Sequence, residues 1–458
     1  MTSTRFVPSI ARRRKPLAAC FAALFALAAQ EAIAANTWTV TTCADSGPGS
    51  LRAVIATPAT LSGDTVDLST LSCSTISLTT GAITIAQNEL NIQGPSRHEV
   101  ITGYYSGTRS TENDRIFNHT GTGTLKLQYL DVEYSNLSPG SGNAKGGCIY
   151  SKGNVYLMHA LVLSCQAKAS GSNQATGGGI YAKGNLTAKY SQIVANSAIA
   201  NGGSGGGAYV GGAFTAIKST INGNSATNHG GISAHKGASI LNSTLSGNTA
   251  FQVGGLFVDG GNTDSLLISD STISGNAAQG NTSSLVGGIR STISTTVQNS
   301  TIAFNTAVVG RGDFSTPYAP GLAMAPGAAS STPVNLQSSI LSNNTYGTTE
   351  VDFSTAGTGF TITSANSLIR ASLGSQLPAT VTTACPLLGP LRDNGGPTPT
   401  HALMSRSPAI DAGNNAAGLT GDQRGTAYPR VSGPAADIGA YEVQQNDVIF
   451  NNGFDGCP

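Results

Sequence analysis

One short motif recurs along most of this chain and limits what the chain can fold into. In each copy two small residues, usually both glycine, precede an aliphatic residue. The first positions of the copies are Gly147, Gly178, Gly206, Gly230, Gly254, Gly287 and, in degenerate form, Pro320. Successive copies are 24 to 33 residues apart, and internal repeats of this length indicate a solenoid or a propeller.

Two further columns of residues alternate with the glycine motif. One places a serine before an inward Ile or Leu and an asparagine three residues after it. The asparagines of this column are Asn196, Asn224, Asn248, Asn276, Asn305 and Asn343. The other column is weaker and consists of alternating apolar residues such as Val155 and Leu157. Each repeat therefore contains three short strands of period two, separated by Gly and Asn turns.

Variation in repeat length separates the two architectures. A propeller blade tolerates little variation, whereas coils of a parallel β-helix stack about 4.8 Å apart along an open axis, so one coil can bulge alone. The longer repeats carry Gly, Ser, Ala and Asn insertions, such as residues 168–176. We therefore predict an all-β chain: a single-stranded, right-handed parallel β-helix with three strands per coil, an N-terminal cap and an irregular C-terminal region.

The columns then acquire structural roles. The aliphatic residue of each motif, such as Ile149 or Ile180, is expected to stack inward. The glycines before it are expected to supply a positive φ at a turn. The asparagines are expected at a bend, where amides on successive coils can hydrogen-bond as an internal ladder.

The two ends of the chain differ in composition from the repeats. Residues 1–34 combine a basic stretch, an apolar run and a small-residue cleavage site, as in a cleaved signal peptide. Residues 36–75 are predicted to form the cap, with Ser50 as N-cap of a short helix ending at Ala56. The β-helix is assigned to 76–384 and the C-terminal region and tail to 385–458. The apolar run of the leader is too short for a lasting membrane span, and the mature chain has no other candidate.

These features predict a secreted or extracellular protein, or one on the outer-membrane surface of a Gram-negative-type bacterium. Charged residues make up only 10% of the chain, so no basic face is expected for nucleic acid.

Six cysteines remain after the leader: Cys43, Cys73, Cys148, Cys165, Cys385 and Cys457. Export implies an oxidising compartment, in which disulfides form. Proximity in sequence favours Cys43–Cys73, Cys148–Cys165 and Cys385–Cys457 among the fifteen connectivities. A zinc site is the alternative, but the chain has no C-x-x-C and no histidine cluster.

The C-terminal region carries a series of motifs in a specific order. They are residues 386–391 (PLLGPL), 393–403 (DNGGPTPTHAL), 407–413 (SPAIDAG), 422–425 (DQRG), Arg430 and 437–442 (DIGAYE). In this order they resemble the choice-of-anchor Q domain family of bacterial surface β-helix proteins, and residues 45–52 resemble the start of the same class. The repeats are also similar to those of polymorphic outer-membrane proteins and autotransporter passengers. This resemblance implies architecture and a surface location, and it carries over no catalytic residue.

Polysaccharide chemistry on a β-helix would need paired carboxylates or a calcium site with a base. Asn262-Thr263-Asp264 matches part of a polygalacturonase motif, but the other parts are missing, so a surface turn is favoured. His229 and His235 lack a third ligand for a metal and are interpreted as turn and surface residues. We predict no cofactor, no metal and no catalytic residue.

Tyr150, Tyr181 and Tyr209 follow inward residues on successive repeats and should form an outward aromatic stripe. Such a stripe can stack on sugar rings, or it can simply cover the sheet. The favoured hypothesis is a non-catalytic, adhesin-like protein whose partners are carbohydrate or other molecules on host or neighbouring cells. A polysaccharide hydrolase or lyase is the alternative, and a structural surface or biofilm component is the third hypothesis.

Overall fold

The computed structural model describes residues 1–2, 35–96, 99–103, 114–281, 285–309, 318–325, 327, 331–374, 377–445 and 447. Nearly all of the predicted signal peptide and of the C-terminal tail lies outside these residues. The described chain is a parallel β-helix, so the predicted fold class is confirmed. Its right-handed sense remains the expectation from the usual hand of parallel crossover connections.

Three long sheets, here A, B and C, run along the helix, and each repeat contributes one strand to each of them. In the described part of the chain, sheet A contains twelve strands. They are Thr37–Thr39, Thr65–Asp67, Leu90–Gln93, Thr124–Gln128, Asn154–Met158, Leu186–Lys189, Phe214–Ile217, Ala238–Leu241, Ser265–Ser269, Ser294–Gln298, Thr332–Gln337 and Phe360–Ala365.

Sheets B and C each contain eleven strands among the residues that the structure describes. Those of sheet B are Thr75–Ser77, Glu99–Thr102, Leu130–Glu133, Leu161–Leu163, Gln192–Val194, Thr220–Asn222, Thr244–Ser246, Thr272–Ser274, Thr301–Ala303, Ile340–Ser342 and Leu368–Ile369. Those of sheet C are Ile83–Ile85, Phe117–His119, Ile149–Ser151, Ile180–Ala182, Ala208–Val210, Ile232–Ala234, Leu256–Val258, Ile289–Ser291, Leu322–Met324, Phe353–Thr355 and Ser372–Leu373.

A fourth sheet, D, was not anticipated from the sequence. Its nine short strands are Asn136–Leu137, Gln166–Lys168, Ser197–Ile199, Ser225–Ala226, Thr249–Ala250, Ala277–Gly280, Thr306–Val309, Thr345–Tyr346 and Thr349–Glu350, the last pairing antiparallel. Ala144–Lys145 pairs with Ala175–Thr176 at the corner where the chain leaves sheet D for sheet C. Single bridges through Ser204, His229, Val253 and Val286 continue this corner. A coil thus runs through sheets C, A, B and D in that order.

Inward residues of sheets A, B and C form one apolar core. Ile149 pairs in register with Ile180, Ile180 with Ala208 and Ala208 with Ile232, and all four are fully buried. The alternation follows from the two-residue period of a strand, which sends every second side chain inward. Burial of this core, at about 25 cal/mol per Å² of apolar surface, is the main favourable contribution to folding.

The glycines of the recurring motif are needed for a different reason from the one predicted. The first glycine of each pair, such as Gly147 or Gly178, is not among those with positive φ. A Cβ at Gly178 would lie 2.3 Å from the carbonyl oxygen of Gly206, on the next coil. Positive φ occurs one residue earlier, at Gly146 and Gly177. The pair is therefore glycine because successive coils approach closely there.

An internal asparagine ladder runs from Asn196 through Asn224, Asn248 and Asn276 to Asn305. In each step the backbone N–H and the Nδ2 of one asparagine donate to the Oδ1 of the next, at 2.8–3.1 Å. The second Nδ2 proton goes to a backbone carbonyl of the preceding coil. Because these fully buried amides have partners, the ladder avoids the cost of unsatisfied polar groups.

The prediction for Asn343 is wrong by one residue. Asn305 donates to Oδ1 of Asn344, at 3.0 Å and 2.8 Å, and Asn343 lies at the preceding corner with a φ of 60°. Ile302 pairs with Leu341 rather than with Ile340. Because both residues are aliphatic, the sequence does not show which of them points inward, and the predicted register was shifted by one residue. Asn344 in turn donates to Oδ1 of Asp352, which ends the ladder.

The helix predicted to follow Ser50 is present in the structure. A short helix spans Leu51–Ala56, and Oγ of its N-cap Ser50 accepts from the N–H of Ala53 at 3.2 Å. Leu51 and Ile55 are buried against the first coils. The helix therefore covers apolar core that an open solenoid end would expose.

Two of the three predicted disulfides, Cys43–Cys73 and Cys148–Cys165, are confirmed. Cys385 is also disulfide-bonded, and its predicted partner Cys457 lies outside the described residues. Among the described residues, no helix is long and apolar enough to span a bilayer.

The C-terminal region packs back on the outside of sheet B. It contains two antiparallel hairpins, Leu388–Arg392 with Thr400–Leu403 and Gly421–Asp422 with Gly425–Pro429. Its apolar residues form a second core with the late coils. The members of that core include Ile340 and Leu368 from the helix and Leu388, Leu403, Ala409, Ile438 and Tyr441 from the C-terminal region.

Candidate functional site

The predicted tyrosine stripe lies on the outer face of sheet C. Tyr150 pairs in register with Tyr181, and Tyr181 with Tyr209. Their ring centroids are 5.3 Å and 5.2 Å apart, with interplanar angles of 9° and 2°. Since the rings stack on one another, a ligand in the groove beside them would meet mainly ring edges and phenol hydroxyls.

A groove lies between this stripe and the corner that leads from sheet D into sheet C. Tyr181 and Tyr209 form one side, and Thr176 and Ser204 lie at the corner itself. The cavity has a volume of about 190 Å³. The remaining lining residues are Asn143, Lys145, Gln174, Gly202 and Asn228.

Amide side chains form another part of the groove wall. Oδ1 of Asn143 accepts from the N–H of Gln174 at 2.8 Å, so the two residues lie one coil apart along the wall. Asn228 continues the wall further along. Repetition of the coil therefore arranges amides and phenols along the helix axis.

The lining of the groove contains one cationic residue, Lys145. The Nζ of Lys145 lies 5.1 Å from the ring centroid of Tyr181, and the guanidinium of Arg115 lies 5.1 Å from that of Tyr150. None of the nine lining residues is acidic. Burial raises the pKa of Tyr181 and Tyr209, so both phenols stay neutral near pH 7 and can donate as well as accept hydrogen bonds.

Beyond Tyr209 the stripe changes. His235 contacts Tyr209 with a centroid distance of 4.8 Å, and His229 stacks on Phe257 at 4.1 Å. Both histidines were interpreted from sequence as turn and surface residues, yet the structure brings them together around Ser233. Their spacing of six residues gives no hint of this, because the chain turns a corner between them.

A second aromatic stack lies at the corner between sheets A and B and was missed from sequence. Tyr129, His159 and Tyr190 stack at 4.9 Å, with Lys218 5.4 Å from the ring of Tyr190. Each of these residues has a positive φ near 50°, which is unusual for side chains of this size. No aromatic pattern is visible in the sequence, because this position holds tyrosine, histidine, tyrosine and lysine on four successive coils.

The remaining sequence candidates are not brought into a site. Oδ2 of Asp264 accepts from the N–H of Gly261 at 2.7 Å, which stabilises a surface turn. Within the described part of the chain, no three His, Cys, Asp or Glu side chains are grouped so that they could hold a metal ion.

Comparison with known proteins adds little. No protein-family model and no curated protein matches the chain. Among solved structures, the chain is similar to one titled pectate lyase Pel9A, at 14% identity and a TM-score of 0.41. The match covers 89% of this chain and 96% of that one. The resemblance to the choice-of-anchor Q family thus stays a prediction.

Proposed function

We propose that this chain is an exported surface-interaction protein that binds acidic polysaccharide in the groove beside the tyrosine stripe. The observation that carries the proposal is the lining of that groove. It combines amides, phenols, hydroxyls and a lysine with no acidic residue.

Hydrogen-bonding chemistry favours a glycan. Amides and phenols each donate and accept, as do the hydroxyls of sugars. The edges of Tyr181 and Tyr209 add apolar surface for the C–H groups of a pyranose. Because similar groups recur from coil to coil along the axis, the groove suits a polymer better than an isolated small molecule.

Charge narrows the class of glycan. Lys145 lines the groove, so a carboxylate or sulfate group on the polymer would meet a cation there. Binding to an exposed, charged groove should weaken as salt screens the interaction. A neutral glycan would lack this contribution.

Binding without cleavage of the polymer backbone is the favoured mode. Hydrolysis of a glycosidic bond ordinarily uses two carboxyl groups about 5–10 Å apart, and the groove lining contains none. Polysaccharide hydrolysis or elimination remains the alternative hypothesis, and a structural surface component the third. Disulfides are typical of oxidising compartments and support export, which the predicted leader would direct.

The test is affinity electrophoresis of residues 35–458 through gels containing polygalacturonate, alginate or neutral glucan. We expect an acidic polymer to retard the protein, and Lys145→Met to weaken retardation at least about tenfold, as expected for loss of a charged hydrogen bond. The matched control is Lys189→Met, since Lys189 lies beside Tyr190 in the other aromatic stack.

The proposal would be contradicted if neutral and acidic polymers retarded the protein equally. It would also be contradicted if Lys145→Met and Lys189→Met weakened retardation equally. Size-exclusion chromatography of the polymer after incubation separates binding from cleavage. A polymer that elutes progressively smaller with time would favour the hydrolase or lyase alternative.

A further inference from the structure

Ser233 interrupts the aromatic column of sheet C. It pairs in register with Tyr209 on one side and Phe257 on the other. A serine fills little of the space that a tyrosine would take, and His229 and His235 occupy that space instead. Ser233 is consequently fully buried beneath two imidazole rings.

The side chains around Ser233 form a connected polar chain. Oγ of Ser233 lies 3.1 Å from Nε2 of His235, and Nδ1 of His235 lies 2.8 Å from Oδ1 of Asp259. Oγ also lies 3.0 Å from Nδ1 of His229. Ser233, His235 and Asp259 are therefore arranged in the order of a Ser-His-Asp triad.

The direction of each hydrogen bond follows from the carboxylate. An ionised Asp259 can only accept, so Nδ1 of His235 carries a proton. In neutral His235, Nε2 must then accept from the hydroxyl of Ser233. Because the hydroxyl proton of Ser233 is already donated to His235, Oγ can only accept from His229, whose Nδ1–H is therefore the donor. Burial lowers the pKa of His229 to about 3, which keeps this imidazole neutral.

The backbone holds these groups at fixed separations. The N–H of His235 donates to the carbonyl of Val210, and that of Asp259 to the carbonyl of Ala234. His235 and Asp259 thus occupy equivalent positions on adjacent coils, and Ser233 lies within a sheet strand. His235 and Asp259 each follow directly on a strand of sheet C, and groups anchored to regular elements hold their geometry better than groups on long loops.

We propose that Ser233, His235 and Asp259 form a nucleophilic hydrolase site for ester substituents on the polysaccharide bound in the neighbouring groove. The choice of substrate rests on the proposed function, whereas the nucleophilic site does not. The two sites adjoin, because Ser204, which lines the groove, lies 3.4 Å from Nδ1 of His229, the imidazole that contacts Oγ of Ser233.

The reaction proceeds in two balanced steps. Oγ attacks the ester carbonyl carbon while His235 takes the hydroxyl proton, and the same proton passes to the departing sugar oxygen as the C–O bond breaks. Water then attacks the acyl-serine with His235 again as base, which releases a carboxylic acid and restores Ser233. Because Ser233 is fully buried, the reaction requires the ring of His229 to turn away from Oγ so that the ester can enter. The N–H of His229, freed by that movement, can then donate to the carbonyl oxygen that becomes negative.

The test uses residues 35–458, a fluorophosphonate probe and p-nitrophenyl acetate. We expect the probe to label the peptide that contains Ser233, and Ser233→Ala to abolish both labelling and hydrolysis. Asp259 is a positioning residue, so Asp259→Asn should lower kcat at least about 100-fold with little change in KM. Ser354→Ala is the matched control, because Ser354 occupies the same outward column without a histidine beside it.

Two results would overturn the inference: no label at Ser233 in the folded wild-type chain, or hydrolysis that persists in Ser233→Ala. If Ser233→Ala did not fold, His235→Gln should abolish turnover for the same reason. Polysaccharide retention is scored separately. Retention without labelling contradicts only this inference, whereas labelling without retention contradicts only the proposed binding function.

Discussion

Sheets B and C enclose the same apolar core, but their outer faces differ. The C-terminal region covers part of the outer face of sheet B, whereas part of the outer face of sheet C borders an open groove. From Thr244 to Thr301 the outward residues of sheet B include small hydroxyl side chains, which the C-terminal region covers. On sheet C the outward residues Tyr181 and Tyr209 border a groove. Inward periodicity thus specifies the helix, and outward residues decide what each face binds.

The covered face is held by polar contacts in fixed register. Thr244 donates to the carbonyl of Pro399, Thr272 to Oε1 of Gln423, both at 2.6 Å, and Oγ of Ser274 lies 2.8 Å from Nε2 of His401. Burial lowers the pKa of His401 to about 4. His401 is therefore neutral and accepts from Ser274 while donating through Nδ1 to a backbone carbonyl.

A change in the shared interior should affect both faces and have the largest effect. Asn248→Ala removes an acceptor for two buried donors of Asn224 and a donor for Asn276 and a backbone carbonyl. We expect a loss of about 4–5 kcal/mol in the free energy of unfolding, since several buried polar groups lose their partners. Urea unfolding monitored by circular dichroism measures it.

Asn222→Ala is the control for that variant. Asn222 lies on the outer face of sheet B and bonds to Oγ of Ser246 at 2.8 Å while partly exposed. Its removal should cost less than about 1 kcal/mol. Equal costs for the two variants would mean that the buried ladder adds nothing beyond an outer hydrogen bond.

A change at the interface should affect the covered face alone. The fully buried Arg430 pairs with Glu442 at 3.1 Å and with Asp270, on the helix, at 3.5 Å. Arg430→Ala leaves two buried carboxyls without their cation, and removal of one partner of such a cluster costs about 3–5 kcal/mol. Limited proteolysis should then cut within 385–445 while polysaccharide retention persists.

Arg392→Ala, at an exposed residue of the same region, should leave the proteolysis pattern unchanged. If Arg430→Ala also abolished polysaccharide retention, the covered face of sheet B and the groove on sheet C would be coupled rather than independent. We expect the groove to bind polysaccharide normally in Arg430→Ala, because its lining residues all precede residue 229 and none belongs to the C-terminal region.

The periodic parts of the structure were predictable from sequence, because burial repeats with the strand. The strands, the core, two disulfides and the helix beginning after Ser50 all follow from local patterns. Sheet D was not predicted, because its strands of two to four residues are too short to show alternation. The error at Asn343 has a similar cause, since Ile340 and Leu341 fit the inward position equally well.

Contacts between residues far apart in the chain could not be predicted from the sequence. The triad joins Ser233 and His235 to Asp259 on the next coil, and register alone brings them together. Gln423, Arg424 and Arg430 belong to the motifs that carry the family resemblance, but the sequence assigned them no structural role. The structure places them at the interface with sheet B or in the folded C-terminal region, where the guanidinium of Arg424 lies 4.0 Å and 3.9 Å from the rings of Tyr428 and Tyr441.

The smallest effect should be a pH dependence of the covered face. Burial raises the pKa of Asp270 to about 7, and Asp422 adds to the increase. The folded chain then keeps a proton that the unfolded chain loses near pH 4. The free energy of unfolding should accordingly fall as pH rises from about 4 to about 7.

Asp270→Asn should reduce this dependence and stabilise the docked region at pH 8 by at least about 1 kcal/mol. The equivalent residues on adjacent coils, Asn242 and Asn299, already have positive φ and donate through Nδ2 to carbonyls of the C-terminal region. Hydrogen exchange of residues 385–445 at pH 5 and pH 8 measures the effect. Faster exchange in Asp270→Asn at pH 8 would show that the Arg430 pair needs this carboxylate, and that charge rather than shape holds the covered face closed.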